Sequence, residues 1–205
     1  MKSLKVYFVD DDEFFLGMMT RTLRDSGFNV ISYPSASELL NDLTPDSKGC
    51  VLADLDMPGM DGIALQEALI QSGNPLPIVF LSGSGNIPIS VQAMRSGAED
   101  FLIKGAPKED LVTAITRAFV RFKKERAERA RQSAVLEKFA LLTDREREVL
   151  KHVIQGKLNK QIADDLCIHE RTVKLHRTSI TTKLGLPSVA ELTKFWLEAG
   201  FSTED

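Results

Sequence analysis

Three aspartates stand in a row directly after the first apolar run of the chain. Residues 8–15 read FVDDDEFF, which places Asp10, Asp11 and Asp12 at the end of that run. Neighbouring carboxylates repel one another unless a cation offsets their charge, and oxygen ligands suit a hard ion such as Mg²⁺ or Mn²⁺. We therefore expect Asp10 and Asp11 to contribute to a metal site. Asp12 and Glu13 are interpreted only as acids that favour the N-terminus of the following helix.

Three further polar residues follow later apolar runs. Asp54 stands in VLADLDMPGMDG, Ser82 in IVFLSGSG and Lys104 in EDFLIKG. A metal, a carboxylate nucleophile, a hydroxyl and an ammonium together can stabilise a phosphoryl group during its transfer. Acids at strand ends are common, so each residue alone is a weak signal, but the set indicates phosphoryl transfer to a carboxylate.

The elements that must position these residues are short apolar runs alternating with segments of helical period. The runs are Lys5–Val9, Asn29–Tyr33, Cys50–Ala53, Ile78–Leu81 and Phe101–Ile103, and the helical segments lie near 13–25, 35–43, 62–71, 87–96 and 107–122. This alternation predicts an α/β fold with a five-stranded, doubly wound parallel sheet. Such sheets bind ligands at the carboxyl ends of their strands, where the acids lie.

The last third of the sequence predicts a small all-helical domain. Four short helices are expected near residues 144–155, 159–166, 170–184 and 188–199. Residues 159–184 have the pattern of two helices joined by a short turn, typical of a helix-turn-helix. The second of these helices carries four cations and one acid, which suits contacts to DNA phosphates; a solvated charged helix is the alternative.

Charge separates the two parts of the chain. Residues 1–120 carry 9 Lys and Arg against 16 Asp and Glu, whereas residues 121–205 carry 17 against 13. An acidic part and a basic part suggest different partners. Between them RFKKERAERARQ, residues 121–132, lacks Pro and Gly, which predicts a solvated helical linker.

Composition narrows the protein class. Cys50 and Cys167 belong to no CxxC or Cys/His cluster, so we expect both to be buried, reduced thiols. No uncharged apolar stretch reaches the ~20 residues of a membrane span, and the first residues lack a signal-peptide core. A cytoplasmic protein with no membrane partner is expected.

Residues 4–122 closely resemble the receiver domain of two-component response regulators, through FVDDDE, ADLDMPGMDG, FLSGSG and DFLIK. The resemblance implies that a cognate histidine kinase phosphorylates Asp54 with Mg²⁺ or Mn²⁺ as cofactor. It assigns the remaining positions as catalytic Ser82 and Lys104, metal ligands Asp10, Asp11, Asp54 and the backbone carbonyl of Asp56, and the switch aromatic Phe101. Phe101 as an ordinary strand phenylalanine is the alternative.

Residues 141–200 strongly resemble the LuxR-type DNA-binding domain of the FixJ/NarL family, through LTDREREVL, KLNKQIADDL and RTVKLHRTSITTKLG. The resemblance implies binding to double-stranded DNA and a homodimer when phosphorylated. It assigns as DNA-binding residues Lys160, Arg171, Lys174, Leu175, Arg177 and Thr178. The last helix is in this family a dimerisation surface, but core packing is equally consistent with its sequence, and the exposure of Trp196 decides between them.

The resulting domain hypothesis is a phosphoacceptor receiver at 1–122, a helical linker at 123–140 and a LuxR-type helix-turn-helix domain at 141–205. We expect a transcription regulator and not an enzyme, beyond its own phosphorylation and dephosphorylation. Two alternatives remain. The receiver could act independently of phosphorylation, or Asp54-Leu55-Asp56 could be the DxD of a haloacid-dehalogenase-type phosphatase, whose DxD, however, follows the first strand.

Two positions depart from the receiver pattern. Gly105 stands where the family usually has proline after the lysine, so the loop around Lys104 is expected to be looser or differently shaped. Asp56 occupies a position that in the family tunes the lifetime of the phosphoryl group, and its carboxylate could either repel that group or position a hydrolytic water.

Overall fold

The computed structural model describes residues 4–73, 76–83 and 87–201. The chain divides into an N-terminal unit, Met1–Glu125, and a C-terminal unit, Arg126–Asp205. The division falls inside a single long helix, and each unit has its own hydrophobic core.

Five strands of the described part of the N-terminal unit form one parallel sheet. They are β1 Lys5–Val9, β2 Asn29–Tyr33, β3 Gly49–Asp54, β4 Ile78–Ser82 and β5 Asp100–Ile103. Their order is β2-β1-β3-β4-β5, and Val6 pairs with Val30 on one side and with Cys50 on the other. Every residue of β3 is buried, as expected for a strand covered on both faces. The predicted doubly wound parallel sheet is confirmed.

Helices alternate with these strands. They are α1 Glu13–Asp25, α2 Ala36–Asp42, α3 Gly62–Gln71, α4 Ile87–Arg95 and α5 Lys108–Ala140. Asp12 caps α1, because its Oδ1 accepts hydrogen bonds from the backbone N–H groups of Phe14 and Phe15 at 3.0 and 3.1 Å. The helix-start role expected for Asp12 therefore has a specific geometry, that of a side-chain N-cap.

The C-terminal unit is helical over its described residues, with α6 Asp144–Ile154, α7 Asn159–Asp165, α8 Glu170–Leu184 and α9 Val189–Glu198 following the end of α5. The start of α5 packs Leu111 and Ile115 into the N-terminal core, whereas its last turns bury Val135 and Phe139 in the C-terminal core. Both residues lie beyond 121–132, the stretch expected to be solvated, and residues 126–132 within that stretch are exposed.

Two expectations from composition have different outcomes. Cys50 is a buried free thiol, but Cys167 is exposed in the turn between α7 and α8, at φ +52°. The prediction of a buried thiol was wrong for Cys167 because that turn lies at the surface. Over residues 4–73, 76–83 and 87–201, no helix has both the length and the apolar character needed to cross a membrane.

Candidate functional site

Three aspartates converge at the carboxyl edge of the sheet. Asp10 follows β1 and Asp54 ends β3, the strand paired with β1. One carboxylate oxygen from each of Asp10, Asp11 and Asp54 lies within 4.8 Å of the others. Asp10 and Asp54 are buried, whereas Asp11 is exposed at the mouth of the site. The acids that the sequence singled out are therefore brought together by adjacent strand ends.

Lys104 supplies the positive charge between two of these acids. Its Nζ lies 2.8 Å from Asp10 Oδ2 and 2.9 Å from Asp54 Oδ2. Burial lowers the pKa of Lys104, but hydrogen bonds and charge interactions with both carboxylates outweigh this effect and raise it. Burial raises the pKa of Asp10 above its ordinary value, although hydrogen bonds from Lys104 and the Asp12 backbone oppose this shift. The lysine is consequently held as an ammonium ion.

The backbone fixes both charged partners. The Lys104 backbone N–H donates to the Ser82 carbonyl at 2.7 Å, which joins the ends of β4 and β5. The Leu55 backbone N–H donates to Asp54 Oδ1 at 2.8 Å. Each Asp54 carboxylate oxygen is thereby engaged by one donor, so the side chain has a defined orientation.

Gly62, the first residue of α3, was missed by reasoning from the sequence. A Cβ at this position would lie 2.7 Å from the Asp54 carbonyl oxygen and 2.9 Å from the Phe80 ring. Only glycine therefore allows α3 to approach the end of β3 this closely. The glycine after Asp61, the N-cap of α3, was the available signal.

The remaining predicted site residues take separate places. Ser82 is fully buried at the end of β4. Phe101 is partly buried on β5 against the N-terminal core. Asp56 is exposed, and its carboxylate is not part of the acid group found among the described residues. Its backbone carbonyl as a ligand stays a prediction, as do the roles of Ser82 and Phe101.

Gly105 adopts a backbone conformation that proline cannot. Its φ is +103°, whereas the proline ring holds φ near −65°. The departure from the receiver pattern is thus matched by a differently shaped loop after Lys104.

The acid group fits a hard divalent cation by its chemistry. It offers three carboxylates within reach of one ion, and the exposed Asp11 leaves one side open to water. Mg²⁺ retains several waters and binds few carboxylates in proteins. Asp11 and Asp54 are therefore suitable metal ligands, with Asp10 beside them.

The C-terminal unit presents α8 as a candidate nucleic-acid interface. Its solvent-facing side chains include Arg171, Lys174, Leu175 and Thr178, and Lys160 is exposed on the preceding helix α7. Leu175 is 64% exposed although it is apolar, while Val173, Ile180 and Leu184 on the opposite face are buried. The cationic face is consequently free of core packing. His169 at the N-cap of α8 makes no side-chain capping hydrogen bond.

Arg177 differs from the other predicted DNA-binding residues. It is half-buried, and its Nη1 donates to Asn159 Oδ1 at 3.0 Å. This contact ties α8 to the start of α7. Arg177 thus has a structural partner within the domain, which its position in the sequence did not indicate.

Glu146 joins α6 to α8. Thr143 and Glu146 form a capping box at the start of α6, with the Thr143 backbone N–H donating to Glu146 Oε2 at 2.8 Å. The buried carboxylate also accepts from Ser179 Oγ at 2.6 Å and from Lys183 Nζ at 2.7 Å. Burial raises the pKa of Glu146, but these donors outweigh it and lower the pKa to about 2. A cap residue therefore also anchors α8, the candidate nucleic-acid interface.

Trp196 on α9 is a core residue. Only 6% of its surface is exposed, and its ring packs against Phe139 and Phe201 at centroid distances of 5.9 and 4.9 Å. Leu192 and Phe195 are buried with it. These residues of α9 therefore pack in the core of the C-terminal unit, which favours core packing over a dimerisation surface as the interpretation of this helix.

Comparisons with known proteins match both parts of the chain to known families. Residues 6–116 match the family described as response regulator receiver domain, and residues 140–196 match bacterial regulatory proteins of the luxR family. The response regulator protein TodT of Pseudomonas putida is 39% identical over 92% of this chain and 83% of its own. The transcriptional regulatory protein FixJ of Azorhizobium caulinodans is 33% identical, and the match covers 100% of this chain and 97% of FixJ. The solved structure of the response regulator StyR is 39% identical, covers 96% of this chain and 99% of its own, and has a TM-score of 0.87.

Proposed function

Because this chain belongs to the response regulators that join a receiver domain to a LuxR-type DNA-binding domain, we propose that phosphorylation of Asp54 controls its binding to DNA. The family regulates transcription by two-component signalling, as expected from the sequence. The proposal assigns the receiver to residues 1–122 and DNA binding to 141–205. The observation that carries it is the contact of Lys104 with both Asp10 and Asp54 beside the exposed Asp11.

The chemistry follows from this arrangement. A carboxylate oxygen of Asp54 attacks the phosphorus of a phosphohistidine on the cognate kinase; an O–P bond forms, and the P–N bond breaks with its electron pair leaving on the imidazole nitrogen. Lys104 offsets charge on the phosphoryl oxygens, and the hydroxyl of Ser82 donates to one of them. Asp11, Asp54 and the Asp56 backbone carbonyl, with Asp10 nearby, would hold Mg²⁺ or Mn²⁺, which would supply further positive charge.

The signal passes to a surface between α4 and β5. Val91, Met94 and the predicted switch residue Phe101 line one groove there. The same groove is also lined by Ser90, Arg95 and Asp100. Ile87 and Ile103 are 72% and 52% exposed, so this part of the receiver combines exposed apolar side chains with polar ones and suits association. Movement of Phe101 after phosphorylation changes this surface and favours a homodimer, which places two α8 helices on a two-fold double-stranded DNA site.

DNA contacts are assigned to the exposed face of α8. Arg171, Lys174 and Lys160 bind phosphates or guanine edges, and Leu175 and Thr178 contact bases. Arg177 takes part from its position against Asn159. The protein acts in the cytoplasm and turns over no substrate other than its own phosphoryl group.

Phosphoryl uptake tests the receiver part directly. The full chain is incubated with Mg²⁺ and acetyl phosphate, and its intact mass is compared with that of Asp54→Asn. We expect the mass of one phosphoryl group on the wild type and none on the variant. No gain on the wild type would refute phosphorylation, and sustained hydrolysis of p-nitrophenyl phosphate would favour a phosphatase.

DNA binding tests the coupling. Operator fragments are first selected from random double-stranded DNA with the phosphorylated protein. Their affinity is then measured for the wild type and for Asp54→Asn, each with and without acetyl phosphate. We expect phosphodonor to tighten binding by the wild type alone. Equal affinities in all four measurements would instead identify a receiver that acts independently of phosphorylation.

A further inference from the structure

The ring of Phe15 lies against the ammonium group of Lys104. Lys104 Nζ is 4.6 Å from the ring centroid, well within the range of a cation–π interaction. Phe15 is the third residue of α1, and the capping carboxylate of Asp12 accepts its backbone N–H at 3.1 Å. The aromatic residue is thus fixed where α1 begins, beside the acid group.

The orientation of this ring is also fixed. Phe15 makes an edge-to-face contact with Phe8, with centroids 6.2 Å apart and planes at 69°. Phe8 is fully buried in β1, so it cannot move away without disturbing the core. The position of the ring under Lys104 is therefore set by the fold and not by the lysine.

Among the residues that the structure describes, three groups contact the ammonium of Lys104, and one of them changes during the reaction. The carboxylates of Asp10 and Asp54 each form an ion pair with Lys104 Nζ. The negative face of the Phe15 ring is the third contact. Only 20% of the lysine side chain is exposed, so little water replaces a lost partner. When Asp54 becomes an acyl phosphate, its charge moves to the phosphoryl oxygens, while Asp10 and Phe15 keep their places.

We propose that Phe15 is a positioning residue that holds the Lys104 ammonium in place for phosphoryl transfer to Asp54. Without the ring, Asp10 is the fixed partner that remains, and the ammonium shifts towards it and away from the phosphoryl oxygens. Preorganised charge contributes to rate only when it lies where charge develops. The inference rests on the proposed function, since it concerns the lysine of the same site.

Fluorinated phenylalanines test the electrostatic character of this contact. Introducing 4-fluoro-, 3,5-difluoro- and 3,4,5-trifluorophenylalanine at position 15 of the full chain changes ring shape little but weakens the negative face stepwise. With Mg²⁺ and acetyl phosphate, we expect the phosphorylation rate to fall in that order, to a total of roughly 3- to 10-fold. The phosphorylation rate of Phe15→Leu should be about as low as that of the slowest fluorinated variant.

Phe28 is the matched control. It is also a partly buried phenylalanine in edge-to-face contact with another ring, Phe119, at 5.9 Å and 70°, but no lysine contact is recorded for it among the described residues. The same fluorinated residues at position 28 should leave the rate unchanged. An equal loss at both positions would mean that packing, and not the cation–π contact, determines the rate, and would overturn the inference.

A second measurement observes the contact itself. The Hε protons of Lys104, assigned by comparison with Lys104→Arg, should be shifted upfield by the Phe15 ring current, and Phe15→Leu should abolish that shift. If the wild type gains the phosphoryl group while the fluorinated series is flat or the upfield shift is absent, the inference fails and the proposed function stands. If the wild type gains nothing, the proposed function fails and the inference with it.

Discussion

Buried carboxylates in the two units reach opposite electrostatic outcomes. Asp10 in the receiver and Glu146 in the helical unit are both almost inaccessible to solvent, and each is paired with a lysine. Burial prevails at Asp10, whose pKa is raised, whereas the donors around Glu146 prevail and lower its pKa to about 2. The difference lies in the number of donors that each carboxylate accepts.

This contrast distinguishes the candidate phosphoryl-transfer site from a carboxylate with a structural role. Glu146 accepts from Thr143, Ser179 and Lys183, so its charge is satisfied within the fold. Lys104 is instead shared between Asp10 and Asp54, which leaves the acids with negative charge that a metal cation can neutralise. A buried carboxylate whose negative charge is only partly neutralised by its neighbours indicates a functional site. One whose charge is fully neutralised indicates a structural role.

The largest effect is expected from removing the receiver lysine. Lys104→Met deletes the charge that faces the phosphoryl oxygens, so the rate of phosphorylation by acetyl phosphate should fall by about 100- to 1,000-fold. Intact mass against time measures this rate. Lys183→Met, the same substitution at the other buried pair, should leave the rate unchanged. A comparable loss in both variants would contradict the contrast.

Next in size is the removal of the structural carboxylate. Glu146→Gln leaves Lys183 without its counter-charge and weakens the tie to α8, so the free energy of unfolding of the helical unit should drop by about 3 kcal/mol. Urea denaturation followed by the fluorescence of Trp196, the single tryptophan, reports on this unit. Glu148→Gln is the control, because that side chain is exposed in a surface pair with Arg145. An unchanged midpoint for Glu146→Gln would show that the buried pair adds no stability.

Acid should reproduce part of that loss. The folded pKa of Glu146 is depressed to about 2 from an ordinary value of 4.5, so its contribution is present above pH 4.5 and disappears as the pH falls towards 2. Between pH 7 and pH 3 the helical unit should lose about 2 kcal/mol through this group. Urea titrations at both pH values measure the loss, which should be absent from Glu146→Gln.

The smallest effect is expected beside Lys104. Gly105→Ala forces a Cβ onto a residue at φ +103°, which should destabilise the receiver by about 1 kcal/mol. Thermal unfolding followed by circular dichroism measures this effect. Gly83→Ala is a suitable comparison, because Gly83 does not have a positive φ and a Cβ there would meet no atom of the described residues within 4 Å. Equal unfolding temperatures for wild type and Gly105→Ala would show that the loop relaxes without cost.

The sequence predicted the elements and the composition of the receiver site well, for a physical reason. Continuous apolar runs mark strands covered on both faces, and parallel strands bring their carboxyl ends to one edge, so Asp10, Asp54 and Lys104 had to meet. Those residues were identifiable because the sheet topology alone places them. The helices of the second unit were also predicted, because helix breaks at Gly156 and Gly185 are visible in the sequence.

Contacts between side chains of different elements were not predictable in the same way. Three contacts depend on how helices pack, which the period of apolar residues does not encode. They are the Phe15 ring against Lys104, the close approach of α3 at Gly62, and the hydrogen bond from Arg177 to Asn159. Trp196 could have been at an interface or in the core, since apolar spacing on a helix is the same for both. The burial of Cys167 was predicted wrongly because the residue type alone does not show whether the turn that contains it lies at the surface.

The anchoring of α8 through Glu146 and Arg177 has an evolutionary consequence. The contacts that anchor the helix lie on one side, and the residues proposed to choose the operator, Lys174, Leu175 and Thr178, are exposed on the other. If that proposal holds, substitutions on the outer side would redirect the protein to new promoters while the domain keeps its melting behaviour, so regulatory networks built on this scaffold would be rewired by single codon changes.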